Sequence, residues 1–209
     1  MSPPPLHADD AVLAFDKPAG LLCVPGRGED KQDCLSRRVQ AQCPEAQVVH
    51  RLDMATSGIV LMARGAAVQR LLGIAFAERR VEKRYIAVVC GQLADDEGEI
   101  DLPLGADWPN RPLQKVDHSD GKPSVTRYRV LARDAAANTT RVELQPVTGR
   151  SHQLRVHLLA LGHPILGDAL YAPAAVLAAV PRLLLHACAV RLTHPLRDEP
   201  LSIDCPPPF

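Results

Sequence analysis

Aromatic residues are scarce in this chain: 3% of 209 positions, comprising one Trp, three Tyr and three Phe. The core must therefore be aliphatic, built from Leu, Val, Ala and Ile, and each Tyr or Trp is a position worth locating. Net charge is absent as well, since 24 Lys+Arg balance 24 Asp+Glu, which excludes a basic arm or acidic tail unless another stretch offsets it. No apolar run approaches the roughly 20 residues of a membrane-spanning helix. The opening Met-Ser-Pro-Pro-Pro lacks the charged-then-apolar order of a secretory signal, so a cytoplasmic location is expected. Six cysteines, at 23, 34, 43, 90, 188 and 205, contain no C-x-x-C pair, which argues against a zinc ribbon or a dithiol redox motif. G-x-S-x-G, H-E-x-x-H and a Walker phosphate loop are missing too.

What is present is 46% hydrophobic, ample at this length for a self-sufficient core. Strand-like runs cover residues 11–15, 58–62, 85–89, 124–130, 140–144 and 183–185, several alternating apolar with polar side chains as antiparallel strands with one wet face do. Helical spacing appears at 66–80, where Val68, Leu71, Leu72, Ala75 and Phe76 share one face. A second helix is expected from Ser151 or His152 to Leu161, stopped by Gly162 and Pro164, and a third near 33–42. The fold class predicted is α+β around a mainly antiparallel sheet. A single domain is expected over 11–205, between proline-rich extended tails at 1–10 and 206–209.

Two segments concentrate chemistry. His50-Arg51-Leu52-Asp53-Met54-Ala55-Thr56-Ser57-Gly58 lies between apolar runs, where a loop is held rigidly while its side chains stay available. Asp53 and Ser57 suit either a catalytic role or simple turn hydrogen bonds to backbone N–H groups. Thr148-Gly149-Arg150-Ser151-His152-Gln153-Leu154-Arg155-Val156-His157 opens the second helix, whose N-terminus with Arg150 and Arg155 could seat a phosphate or carboxylate. Equally, Ser151 could be an N-cap and Arg155 a solvated residue. The five-residue spacing of His152 and His157 separates them around a helix and makes them poor joint metal ligands.

Arg79-Arg80-Val81-Glu82-Lys83-Arg84-Tyr85 sets four basic residues and one acidic beside a Tyr, suited to a nucleic-acid backbone with a base stacked on the ring. A solvated helix end reads the same way. Asp107-Trp108-Pro109-Asn110-Arg111-Pro112 places the only Trp in a polar, proline-rich loop, as a platform or as a lid over the core. Residues 79–84 sum to +3 and residues 95–101 hold five acidic groups, so a polarised molecule with a local basic cleft is expected.

In this order the segments resemble the RluA family of RNA pseudouridine synthases. The resemblance is carried by Lys17-Pro18-Ala19-Gly20-Leu21, H-R-L-D-x-x-T-S-G at His50 to Gly58, Lys83-Arg84-Tyr85, G-R-x-H-Q-L-R at Gly149 to Arg155, Gly162-His163-Pro164-Ile165-Leu166-Gly167-Asp168, and Leu183-Leu184-Leu185-His186-Ala187. The loop around Trp108 looks most like the branch that modifies both a 23S rRNA hairpin and tRNA. The S4-like RNA-binding domain that many members carry is expected to be absent.

The resemblance implies a pseudouridine synthase fold, a mixed sheet flanked by helices and loops with an active-site cleft between two halves. It implies isomerisation of uridine in RNA, with C5 replacing N1 on the ribose. Asp53 matches the catalytic aspartate, Arg155 the basic residue facing it, and Tyr85 the ring that stacks on the target base. Arg51 matches the residue that fills the space left by the flipped nucleotide, and Leu184 lines the pocket. His50, Arg150, His152 and Gln153 are further substrate-binding candidates. RNA stem-loops are the expected partner, a monomer the expected state, and no cofactor or metal is implied. Two rivals compete: an RNA-binding module without catalysis, and a hydrolase in which His50 or His152 activates Ser57 or Ser151.

Overall fold

The apolar stretch read at 58–62 forms the middle of a strand, Ser57–Arg64, in which every residue but the last is buried. In chain order the elements are β1 (Pro5–Ala8), β2 (Val12–Lys17), α1 (Leu35–Gln40), β3 (Ala46–Val48), β4 (Ser57–Arg64), α2 (Gly65–Ala77), β5 (Glu82–Cys90) and β6 (Glu97–Asp101). There follow β7 (Leu104–Ala106), β8 (Gln114–Val116), β9 (Val125–Asp134), β10 (Thr139–Pro146), α3 (Gln153–Ala160), α4 (Ala174–Ala178), β11 (Leu185–Thr193) and β12 (Pro200–Asp204). This computed structural model describes residues 3–209. Strands pair mostly antiparallel and helices are few, so the α+β class holds.

The chain forms two compact units, Met1–Lys83 with Ala187–Pro208, and Arg84–His186 with Phe209. The catalytic domain expected over 11–205 spans both. In the first unit the strand order is β1-β2-β4-β11, with β3 on β4 and β12 on β11. Pro5–Ala8, within the segment expected as an extended tail, is extended and pairs with β2. Helix α2 packs on β3 and β4, and its Val68, Leu72 and Ala75 join Val12, Ile59, Leu61, Val190 and Ile203 in one core cluster. Leu71, placed on that face by spacing, is 36% exposed. The helix ends at Ala77, short of residue 80, because Arg79 turns left-handed at φ 60. Arg80 N–H then reaches back to Ala75 O at 2.8 Å, a closing turn usually signalled by glycine.

In the second unit β5, β10, β9 and β6 lie side by side, antiparallel throughout. Strands β7 and β8 make a separate hairpin, and α3 packs against β8, β9 and β10. The polar run of β6, Glu97-Gly98-Glu99-Ile100-Asp101, buries only Ile100, which is why no strand is legible there. Of Leu183-Leu184-Leu185 only Leu185 enters β11. Residues 206–208 carry no regular structure, but Phe209 is anchored: its carbonyl accepts from Arg141 Nη1 at 2.8 Å, and Arg141 and Arg182 lie over its ring, each at 5.5 Å.

Candidate active site

The loop of residues 50–56 is held from beneath by a buried lysine. Lys17, at the end of β2, is wholly excluded from solvent. Its ammonium offers three donors, and three carbonyls receive them: Leu21 at 2.8 Å, Pro18 at 2.9 Å and Met54 at 3.1 Å. Gly20 N–H also donates to Met54 O at 2.8 Å, and Thr56 N–H closes a turn on Asp53 O at 3.1 Å. Leu52 N–H donates to Cys23 Sγ at 3.2 Å. Burial pushes that thiol's pKa up, and it feels the charges of Lys17, Arg51 and Asp53. The Lys17–Leu21 segment and the Asp53 loop are therefore one fastened unit, with Asp53 half-buried and Arg51 exposed.

His50 proves to be part of the scaffold. Its Nε2 accepts Leu61 N–H at 2.9 Å, and its ring stacks on Phe76 with centroids 4.8 Å apart. An acceptor at Nε2 requires the neutral ring, and burial, reinforced by the nearby Lys83 charge, pulls its pKa down to about 3. Gly58, at the end of the motif, has φ +109, and a Cβ there would stand 2.3 Å from Ala187 O. No side chain fits that approach.

In the second unit Gln153 and His157 also turn inward. Gln153 is buried, and its amide carbonyl accepts from Thr148 Oγ1 (2.8 Å) and Arg150 N–H (3.0 Å) while its NH₂ donates to Val125 O (2.9 Å) and Thr126 Oγ1 (3.0 Å). Those four bonds fill the hydrogen-bonding capacity of the Gln153 amide, which ties the helix entry to β9. His157 Nε2 meets Leu102 O at 3.1 Å and Nδ1 meets Thr126 Oγ1 at 2.9 Å. The residue capping α3 is His152 at φ 54, with no side-chain cap, so Ser151 is not the cap. A left-handed non-glycine residue is strained, and here it sits inside the G-R-x-H-Q-L-R motif.

Arg155 is the most tightly held group of the motif. Its guanidinium forks onto Asp168, Nε to Oδ2 at 2.8 Å and Nη2 to Oδ1 at 2.6 Å, with both side chains at most 4% exposed. Asp168 Oδ1 also accepts Leu170 N–H and Tyr171 N–H. The Tyr171 ring lies 5.0 Å under the guanidinium, and its hydroxyl is 2.6 Å from His152 Nδ1. The sequence signals no role for Tyr171, and for Asp168 only its place at the end of the Gly162–Asp168 motif. Tyr85 lies half-buried in β5 opposite Leu144 of β10. Leu184 N–H donates to Leu166 O at 3.0 Å and its carbonyl accepts Val88 N–H at 3.1 Å. Arg150 is exposed, and neither it nor Arg51 meets a carboxylate among the described residues.

The expected charge polarity is offset in part by local ion pairs. Arg80 pairs with Glu78 and Arg84 with Glu143, while in the acidic run Asp96 pairs with Arg133 and Glu99 with Arg127. Both histidines invoked for a hydrolase are engaged elsewhere, His50 by Leu61 and His152 by Tyr171.

The RNA pseudouridylate synthase family profile matches residues 11–160. The chain belongs to the RluA family of RNA pseudouridine synthases. It is 51% identical to the dual-specificity RNA pseudouridine synthase RluA of Escherichia coli K12, over 98% of this chain and 93% of that one. Against the protein of the same name from Yersinia pestis the identity is 51%, covering 98% of each. Among solved structures, human RNA pseudouridylate synthase domain containing 1 superposes with a TM-score of 0.81 at 29% identity, covering 100% of this chain and 87% of that one. The chain is thus an RNA isomerase that converts uridine to pseudouridine. No helix among the described residues is long and apolar enough to cross a membrane.

Proposed function

We propose that this synthase has dual specificity, modifying a uridine in a 23S rRNA hairpin loop and one in the tRNA anticodon loop, with Asp53 as the catalytic carboxylate. The relatives named dual-specificity synthases at 51% identity support the substrate range. The fastening of the Asp53 loop by Lys17 supports the catalytic assignment. In the reaction the N1–C1′ bond breaks, the uracil turns, C5 bonds to C1′, C5 loses its proton and N1 gains one. The sum is an isomerisation that needs no redox partner or carried group; the enzyme is proposed to act without cofactor or metal, as a cytoplasmic monomer.

Each route to cleavage of the glycosidic bond requires an ionised, immobile carboxylate. Arg155, held by Asp168, is the cation assigned to that carboxylate. Tyr85 is the ring assigned to the flipped uracil, which needs a substitute stacking partner once it leaves the RNA. Arg51 and Arg150, exposed, are assigned to the vacated stack and to phosphates.

Purified protein with tRNA and 23S rRNA transcripts should yield carbodiimide-detectable pseudouridine in both. Asp53→Asn should abolish it while RNA binding survives. A mutant that modified RNA at the wild-type rate would remove Asp53 from the mechanism, and product in only one RNA would end the dual specificity.

A further inference from the structure

The only Trp of the chain is exposed and carries a cation on its face. Trp108 sits in the 3₁₀ turn Trp108–Asn110 at the tip of the β7–β8 hairpin and is 67% exposed. It is no lid over a core. The Arg111 guanidinium lies 3.6 Å from the ring centroid. With one face so covered, the exposure belongs to the opposite face and the ring edges.

Arg111 meets no carboxylate among the described residues; the nearest acid in sequence, Asp107, instead accepts Asn110 Nδ2 at 2.9 Å. Stacking leaves the in-plane N–H groups of a guanidinium free to donate. An open indole face beside a cation with free donors suits an unpaired nucleotide, its base on the ring and its phosphate or base edge on the guanidinium. An apolar peptide would leave those donors unused.

The tip is also rigid. Asp107 N–H donates to Leu113 O, Asn110 N–H to Asp107 O and Leu113 N–H to Asn110 O, each at 3.0 Å. At its base Gln114 N–H donates to the Tyr171 hydroxyl at 2.8 Å. That same Tyr171 underlies Arg155 and bonds His152. A nucleotide on Trp108 would therefore be registered against the strained turn at His152 and the Arg155–Asp168 pair.

We propose that Trp108 and Arg111 form a second nucleotide site, which stacks an unpaired base of the RNA substrate other than the uridine being isomerised and sets which loop the enzyme accepts. This rests on the chain being an RNA pseudouridine synthase. Because Trp108 is the sole Trp, its fluorescence reports this site alone.

The test titrates the full-length protein with a synthetic tRNA anticodon stem-loop, following RNA anisotropy and Trp emission in parallel. Emission should be quenched with the same midpoint as the anisotropy. Trp108→Ala should weaken binding roughly tenfold and Trp108→Phe less, as base–aromatic stacking predicts. Turnover at saturating RNA should be kept, with the loss in KM. Binding by anisotropy with unchanged Trp emission, or wild-type affinity in Trp108→Ala, would overturn the second site and leave the synthase reading intact. Absence of anisotropic binding by the wild type would overturn the RNA-substrate reading and this site with it.

Discussion

Asp168 grips Arg155 through two parallel hydrogen bonds of 2.8 and 2.6 Å, both partners out of solvent. The pair fixes the plane and direction of the guanidinium in a way that no single contact could. A planar fork on a carboxylate is geometry that Lys cannot reproduce. Removing one member of such a pair leaves an uncompensated buried charge. Asp168→Asn should therefore lower stability by about 3–5 kcal/mol, read as a fall in urea midpoint, and reduce turnover. Arg155→Lys should behave similarly. Unchanged stability in both variants would show that the pair is not a structural anchor.

Lys17 offers a different test, because its ammonium clamps the loop that carries Asp53. Lys17→Met keeps the apolar stem and removes the donors. Displacement of a catalytic group by about an ångström can cost on the order of a hundredfold in rate. Turnover should fall by that order while affinity for a stem-loop RNA changes little. Equal losses in kcat and binding would mean that the loop had collapsed rather than shifted.

Acid should weaken the fold through His50. Its pKa is about 3 when folded and that of an ordinary imidazole, 6.5, when unfolded. Between those values the unfolded chain binds the extra proton, so stability rises with pH across this window. It is fully present above about 6.5 and lost as the pH falls towards 3. In His50→Gln, which keeps an acceptor for Leu61 N–H and cannot titrate, the slope should flatten by up to about 1.4 kcal/mol per pH unit. Parallel curves for the two proteins would exclude His50 as the source.

RNA affinity should depend on salt through a few exposed guanidiniums. Arg51→Gln and Arg150→Gln should each make the plot of log affinity against log salt shallower by roughly 0.7–0.9 if each meets a phosphate. Arg127→Gln, whose guanidinium already pairs with Glu99, should leave the slope unaltered. The reverse pattern would place the RNA on β9 instead.

The long amphipathic and apolar runs were legible because burial imposes a period on them: α2 and strands β2, β4, β5, β9 and β10 lie where spacing puts them, within a few residues. Legibility failed where pairing, not apolar pattern, makes the element, as in β6 and the β7–β8 hairpin. It failed again at the end of α2, where Arg79 takes a left-handed turn in place of glycine. Among site residues, His50 and Gln153 stood out as polar groups within motifs, yet each is spent on internal hydrogen bonds. A motif constrains residue identity for either reason, and a string of letters does not separate the two.

The sequence by itself determined the family, through six ordered motifs, along with the fold class and the candidate aspartate, since these rest on residue type and local spacing. The tertiary structure decided which of those residues face inward, which charges are already paired, and what holds the rest. Lys17 meets Met54 across 37 positions and Arg155 meets Asp168 across 13. Such contacts exist only once packing has excluded water and brought distant backbone within hydrogen-bond reach.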